Sequence, residues 1–183
     1  LSEDLLTEIA QMPDIEQARA NAVIEEMEAQ GRNTLELGEG VVEFALWLKW
    51  HGIPTALVTR NTKTTVDFFQ RSLWEPLGLP RLNPAVSRDS PSHLPAKPHP
   101  AAMHYILQEW GISLKFEDSS DALAGILMVG DSPSNDIGFG KAAMVDTALV
   151  DSGRRYEEEQ SKVTNNVADF YVTNIAMLSH LLW

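Results

Sequence analysis

Apolar residues along this chain come in short runs between helical stretches, and the sharpest run is Ile126-Leu127-Met128-Val129, which ends in Gly130-Asp131. Four apolar residues in succession predict a strand buried on both faces, with a carboxylate set at its carboxyl edge. Asp136 follows within the next turn, and Ser134 and Asn135 are placed to cap a helix starting there. In an open α/β sheet that edge is where ligands bind, so Asp131 and Asp136 are expected to face one crevice.

The rest of the chain supplies matching pieces. Ser2 can cap a helix through Leu5, Leu6 and Ile9, and Pro13 can open a second one through Ile15, Ala18, Ala22, Ile24 and Met27, giving an acidic helical hairpin. Val41, Val42, Phe44, Ala45, Leu48 and the Trp47/Trp50 pair predict a helix buried nearly all round and closed by Gly52. Ile53 to Thr59 reads as a short strand ending in Thr59-Arg60-Asn61, followed by a helix through Val66, Phe68, Phe69 and Leu73. Asn83 to Ser87 is a weaker strand, and Arg88 to Lys97, rich in Ser and Pro, is a loop. Pro98 and Pro100 bracket the start of a helix to Trp110, the polar segment from Ile112 to Asp121 is a loop, and the helix after Asp136 carries Gly138, Gly140 and Ala142-Ala143 for close approach to the sheet. Thr147 to Val150 and Phe170 to Val172 are further strands, the charged stretch from Asp151 to Asn166 between them is a solvated loop, and Ile175 to Trp183 is a last helix. Strands alternating with helices predict an α/β fold: a doubly wound, mainly parallel, Rossmann-like sheet.

Composition narrows what such a sheet could bind. The chain has 183 residues, 44% of them hydrophobic, enough for one core with at most a small appendage. With 14 Lys and Arg against 26 Asp and Glu the net charge is −12, which opposes binding to nucleic acid or to anionic membranes. An anionic substrate would have to be drawn in locally by a cation or a few placed basic side chains. The chain contains no cysteine, which excludes disulfides, thiolate metal sites and Cys nucleophiles. No apolar run approaches a membrane span of about 18 residues. No signal-peptide pattern precedes the first helix, so a soluble intracellular setting, cytoplasm or organelle interior, is expected. A chain opening on Leu1 without an initiator Met is expected to be processed, truncated or incompletely represented.

Three strand ends or helix starts thus offer Thr59 with Arg60 and Asn61, then Lys97, then Asp131 with Asp136. A hydroxyl and backbone N–H groups suit phosphoryl oxygens, a Lys supplies a point charge, and one or two carboxylates together with substrate phosphate hold Mg²⁺. These are most of the parts of a phosphoryl-transfer site, short of a nucleophile. The five His residues lie in helices or loops with no Ser or Thr partner pattern.

The apolar strand with Thr59, the Lys97-Pro98 pair, and Gly130-Asp131 with Asp136 resemble, in order and spacing, motifs two, three and four of the haloacid dehalogenase-like hydrolases. Residues 1–37 resemble the small helical cap of that family, and residues 38–183 its α/β core without the first strand. The resemblance implies that Thr59 hydrogen-bonds the phosphoryl group, that Lys97 neutralises nucleophile and phosphate, that Asp131 ligates Mg²⁺, and that Asp136 orients Asp131 or a metal-bound water. Arg60, Asn61 and Arg88 join Thr59 and Lys97 as substrate-binding candidates, the loop from Arg88 to Ser92 and the cap being the places for specificity. Motif one, Asp-x-Asp-x-Thr, should precede the cap, and the residues ahead of Leu5 do not supply it.

The reading that follows is a Mg²⁺-dependent phosphatase of the small-cap branch, acting on a small phosphorylated metabolite through an aspartyl phosphate. Its nucleophilic Asp would lie on an upstream segment, and neither nucleic acid nor membrane insertion enters. The dehalogenase branch fits less well because it resembles metal-free sites without a Gly-Asp ligand, and a sugar phosphomutase is a weaker rival. The alternative from another class is a noncatalytic binding or scaffold protein that kept the fold.

Overall fold

The computed structural model describes residues 8–9, 11–90, 94–112, 125–157 and 167–182. The helix start expected at Ser2, the loop reading of residues 113–121 and most of the charged run up to Asn166 therefore lie outside the described residues. In chain order the elements are helix α1 (Asp14–Arg32), helix α2 (Val41–Trp50), strand β1 (Leu57–Val58), helix α3 (Lys63–Phe69), strand β2 (Ala85–Val86), helix α4 (Ala101–Glu109), strand β3 (Leu127–Gly130), helix α5 (Gly138–Ala142), strand β4 (Asp146–Val150), strand β5 (Phe170–Val172) and helix α6 (Leu178–Leu181). No described helix is long and apolar enough to cross a membrane.

Local chemistry accounts for the element ends. Pro13 precedes α1, with Asp14 and Glu16 in its first turn and Arg32 in its last, the arrangement the helix dipole favours. Helix α5 is entered through a wide turn at Pro133–Ile137, where the N–H of Ile137 reaches back to the carbonyl of Ser132 at 3.1 Å. The cap there is Ser132, whose hydroxyl accepts from the N–H of Asn135 at 3.3 Å. Ser134 and Asn135, expected as caps, lie inside the turn, because the helical backbone already begins at Pro133.

Among the described residues all strand pairings are parallel. β1 pairs with β2 in the register Leu57 to Ala85, and β4 lies between β3 and β5, with Val129 opposite Ala148 and Leu149 opposite Tyr171. Helices cover both faces, as the alternation of elements predicts. Ala102, Met103, Ile106 and Leu107 of α4 pack with Phe139 and Ala143 on one face, and Phe44 of α2 and Leu178 of α6 pack with Ala148 and Val172 on the other.

Among the described residues the strands form two sheets rather than one, β1-β2 and β3-β4-β5. The consequence shows in burial. Thr147, Ala148 and Leu149 of β4 are 0% exposed, whereas every residue of β3 is only half-buried, contrary to the expectation from its apolar run. β3 is an edge, and so is β1. A cavity of about 600 Å³ separates them, lined by Leu57 and Val58, by Leu127 and Val129, and by Phe44 and Ile106 from the two helix layers.

Helix α2 buries only one stripe, so Trp50, which sits opposite Phe44 and Ala45, is 84% exposed rather than core. Gly140 does lie against the sheet as expected: a Cβ there would fall onto Cγ2 of Thr147 and stand 3.0 Å from Cβ of Met128. Gly140→Ala is therefore expected to cost roughly 1–3 kcal/mol through overpacking. Urea denaturation checks this, and an unchanged midpoint would show that α5 can shift outward freely.

Candidate active site

The carboxyl edge of β3 is built around a buried carboxylate. Asp136 is 6% exposed. Its Oδ2 accepts from the backbone N–H groups of Asp131 and Ser132, each at 3.1 Å, which folds the loop after β3 back on itself. Gly130 is what lets this carboxylate approach, since a Cβ at that position would fall onto Cβ, Cγ and Oδ2 of Asp136. The Gly-Asp spacing in the sequence is thus a steric requirement.

The other oxygen of Asp136 meets Lys97. Nζ of Lys97 donates to Oδ1 at 2.6 Å and also to the carbonyl of Val58 at 3.0 Å, with side chains 10% and 8% exposed. One ammonium therefore ties the end of β1, the loop before α4 and the loop after β3 together. A salt bridge this well buried is strengthened by the low dielectric and by the other hydrogen bonds of both partners. Among the described residues two of the three ammonium donors are spent, which leaves one for an anion. Thr59 follows Val58 directly, its N–H bound to the carbonyl of Val86 at 2.9 Å and its hydroxyl accepting from the N–H of Asn61 at 3.1 Å. Arg60 lies between them, half-buried.

Arg88 has another partner. Its Nη1 lies 2.9 Å from Oε1 of Glu28 on α1, and the hydroxyl of Thr62 donates to the other oxygen of Glu28 at 3.2 Å. Arg32 adds a hydrogen bond to Thr65 at 3.2 Å. The substrate-binding candidate on the Arg88 loop thus holds the helical N-terminal segment onto the core. The same loop is ordered by Asp89, which accepts from the N–H of Lys63 at 2.7 Å and from the hydroxyl of Ser87 at 2.9 Å. Burial of Asp89 works against its charge, but these bonds prevail and hold its carboxyl below the usual range.

Asp131 stands apart from this network, its side chain 77% exposed. Among the described residues its carboxylate accepts no hydrogen bond; the nearest cation is Nη2 of Arg155, 3.9 Å from Oδ2. Its donor chemistry fits a hard cation, which takes one or two carboxylates and fills its other positions with water or phosphate. The oxygens of Asp136 are by contrast both engaged. No cluster of three or more His, Asp or Glu able to hold a metal occurs among the described residues.

Asp151, which the sequence places at the head of a solvated loop with no role in the site, is buried. The side chain ends β4 and is 0% exposed. Its Oδ2 accepts from the N–H of Tyr156 at 2.8 Å and from the hydroxyl of Tyr171 at 3.1 Å. Burial opposes the charge, yet the N–H groups of Tyr156 and Arg155, the Tyr171 hydroxyl and the Arg155 guanidinium together keep the carboxyl below its ordinary value. The Tyr171 hydroxyl is pushed up, by burial first and then by its bond to Asp151. The signal was present in the sequence: Leu149-Val150-Asp151 repeats the pattern of an apolar run closed by Asp seen at Asp131.

Comparison with known proteins places these residues in context. The HAD-hydrolase-like family model matches residues 95–178, which include Lys97, Asp131, Asp136 and Asp151. A haloacid dehalogenase-like hydrolase domain-containing protein of Arabidopsis thaliana is 29% identical over 179 residues, covering 98% of this chain and 66% of that protein. The chain therefore spans about two thirds of the length of that relative. Among solved structures, a HAD phosphatase from Thermococcus onnurineus superposes with a TM-score of 0.64 at 17% identity, covering 97% of this chain and 77% of that one. The putative HAD-hydrolase YfnB from Bacillus subtilis, solved bound to magnesium, gives 0.55 at 19% identity, covering 97% and 66%. At these identities the two structures speak for the fold.

Proposed function

The chain belongs to the haloacid dehalogenase-like hydrolase superfamily, and we propose that the full-length protein is a Mg²⁺-dependent phosphatase acting on a small phosphorylated metabolite. One observation carries this reading: a buried Lys97 ammonium bridges the end of β1 to Asp136 and keeps one donor for an anion, while the same Asp136 holds the loop that carries the exposed carboxylate of Asp131. A net charge of −12 makes such local attraction necessary for a phosphorylated substrate.

Each residue then has a task. Lys97 offsets the charge of phosphate and nucleophile. Thr59 binds a phosphoryl oxygen through its hydroxyl, which the N–H of Asn61 orients, with Arg60 and Asn61 at the same strand end. Asp136 fixes both Lys97 and the loop that presents Asp131. Asp131 would hold Mg²⁺, which supplies neutralisation of the charge developing on the transferred phosphoryl group. Arg88 acts on the site from a distance by fastening the helical segment, a route to specificity through the position of α1. The nucleophile is an Asp on a strand that enters between β1 and β3 from upstream in the intact protein, and an aspartyl phosphate forms on it before hydrolysis. The slot lined by Leu57, Val58, Leu127 and Val129 supports this placement, because it lies between the edges of β1 and β3, whose carboxyl ends lead into Thr59 and Asp131.

Asp131→Asn tests the assignment in the full-length protein. Mg²⁺ affinity, followed by calorimetry, is expected to fall by more than about tenfold, since an amide replaces an anionic ligand in a site that has few. Hydrolysis of p-nitrophenyl phosphate should fall with it. Normal Mg²⁺ dependence in the variant would remove Asp131 from the site.

A further inference from the structure

The chemistry above leaves unused the loop after β4, whose construction is specific. Its backbone turns through Arg154 at φ 52, a left-handed conformation that residues other than glycine adopt rarely. The N–H of Arg154 returns to the carbonyl of Asp151 at 3.0 Å, and the N–H of Tyr156 to the Asp151 carboxylate. Arg155, between them, is thereby aimed back across the sheet edge. Its Nε is 3.6 Å from Oδ1 of Asp151, its Nη2 is 3.9 Å from Oδ2 of Asp131, and its guanidinium lies 5.1 Å from the centre of the Tyr156 ring. Oδ1 of Asp151 is fully buried and has no well-formed hydrogen bond among the described residues, the backbone N–H of Arg155 giving the carboxylate only looser support.

One guanidinium thus stands between two carboxylates, an exposed one with room for a cation and a buried one with unspent acceptor capacity. At neither is it in hydrogen-bond contact. We infer that Arg155 is a positioning residue that shares Asp131 with the cation: it pairs with Asp131 when the cation is absent and withdraws onto Oδ1 of Asp151 when the cation binds. The inference rests on Asp131 being a cation ligand. Like charges at about 4 Å repel, so a cation on Oδ2 of Asp131 cannot share that oxygen with Arg155 without cost. The free oxygen of Asp151 gives the displaced guanidinium a charge-assisted hydrogen bond in exchange. Arg155 is 57% exposed at its side chain, so the move needs only a rotamer change and no rearrangement of the core.

The two ends of this exchange predict opposite signs. In the full-length protein titrated with Mg²⁺ alone, Arg155→Met is expected to tighten binding about fivefold by removing the competing charge. Asp151→Asn is expected to weaken it by a similar factor, because the withdrawn position loses its anion. Circular dichroism and melting curves accompany both, since Asp151 is buried. An Arg155 that merely braces the loop would lower the melting temperature of Arg155→Met and leave Mg²⁺ affinity unchanged, and that result overturns the inference. Unchanged or weaker binding in Arg155→Met while the wild type binds normally does the same. Failure of the wild type to bind Mg²⁺ at all is a different result, and it removes the reading of Asp131 on which the exchange depends.

Discussion

Asp136→Ala in the full-length protein is expected to abolish phosphatase turnover and to lower the melting temperature by about 10 °C, from a loss of roughly 3–5 kcal/mol in a domain of this size. The size of the effect follows from what Asp136 holds. Its removal leaves the Lys97 ammonium, 10% exposed at its side chain, with only the Val58 carbonyl, and frees the N–H groups of Asp131 and Ser132 that fold the loop. An uncompensated buried charge is costlier than the original pair was stabilising.

Lys97→Met should cost less stability, because the Asp136 carboxylate keeps its two N–H donors, while turnover still falls for want of a charge at the phosphate. The double variant measures the pair directly, with a coupling of more than about 1 kcal/mol expected between residues in one network. Additive effects, or a melting temperature unmoved by Asp136→Ala, would show that the loop after β3 is held by other contacts and that Asp136 does not organise the site.

How far the sequence revealed this arrangement depends on whether a feature is local. Helices α2 and α4 and strands β3, β4 and β5 were legible from apolar periodicity and from Gly and Pro punctuation, and Thr59, Lys97, Asp131 and Asp136 from where each apolar run stopped. What the sequence does not carry is which polar atoms meet. That Lys97 reaches both Val58 and Asp136 depends on three loops converging, and that Arg88 is spent on Glu28 depends on where α1 lies. Asp151 carries no site role in the sequence because a charge run follows it, so the residue reads as the head of a loop rather than as the end of a strand. Trp50 was misjudged because a helix rich in apolar residues looks buried all round until the neighbouring elements cover only one stripe.

The slot between β1 and β3 yields the other large effect, readable amide by amide. In parallel pairing the N–H and C=O of one residue point to the same side, and successive residues alternate. Leu57 and Thr59 donate to Pro84 and Val86 of the β2 segment, so Ala56 and Val58 face the slot, as the contact of Lys97 with the Val58 carbonyl shows. On β3 the carbonyl of Ile126 accepts from Asp146 beside β4, so Leu127 and Val129 present their backbone groups to the slot. A strand entering there would lie about 4.8 Å from each edge, which requires the edges to stand about 9.6 Å apart. It would also satisfy these backbone groups and fill the apolar cavity. Hydrogen exchange should therefore show the amides of Ala56, Val58, Leu127 and Val129 slowed by at least about a hundredfold in the full-length protein relative to residues 1–183 expressed alone, with Leu57 and Thr59 changing far less. Equal exchange at the four positions in the two proteins would mean that no strand enters the slot. The site would then lack the nucleophile assigned to it, and Thr59, Lys97 and Asp131 would be the remnants of a binding fold.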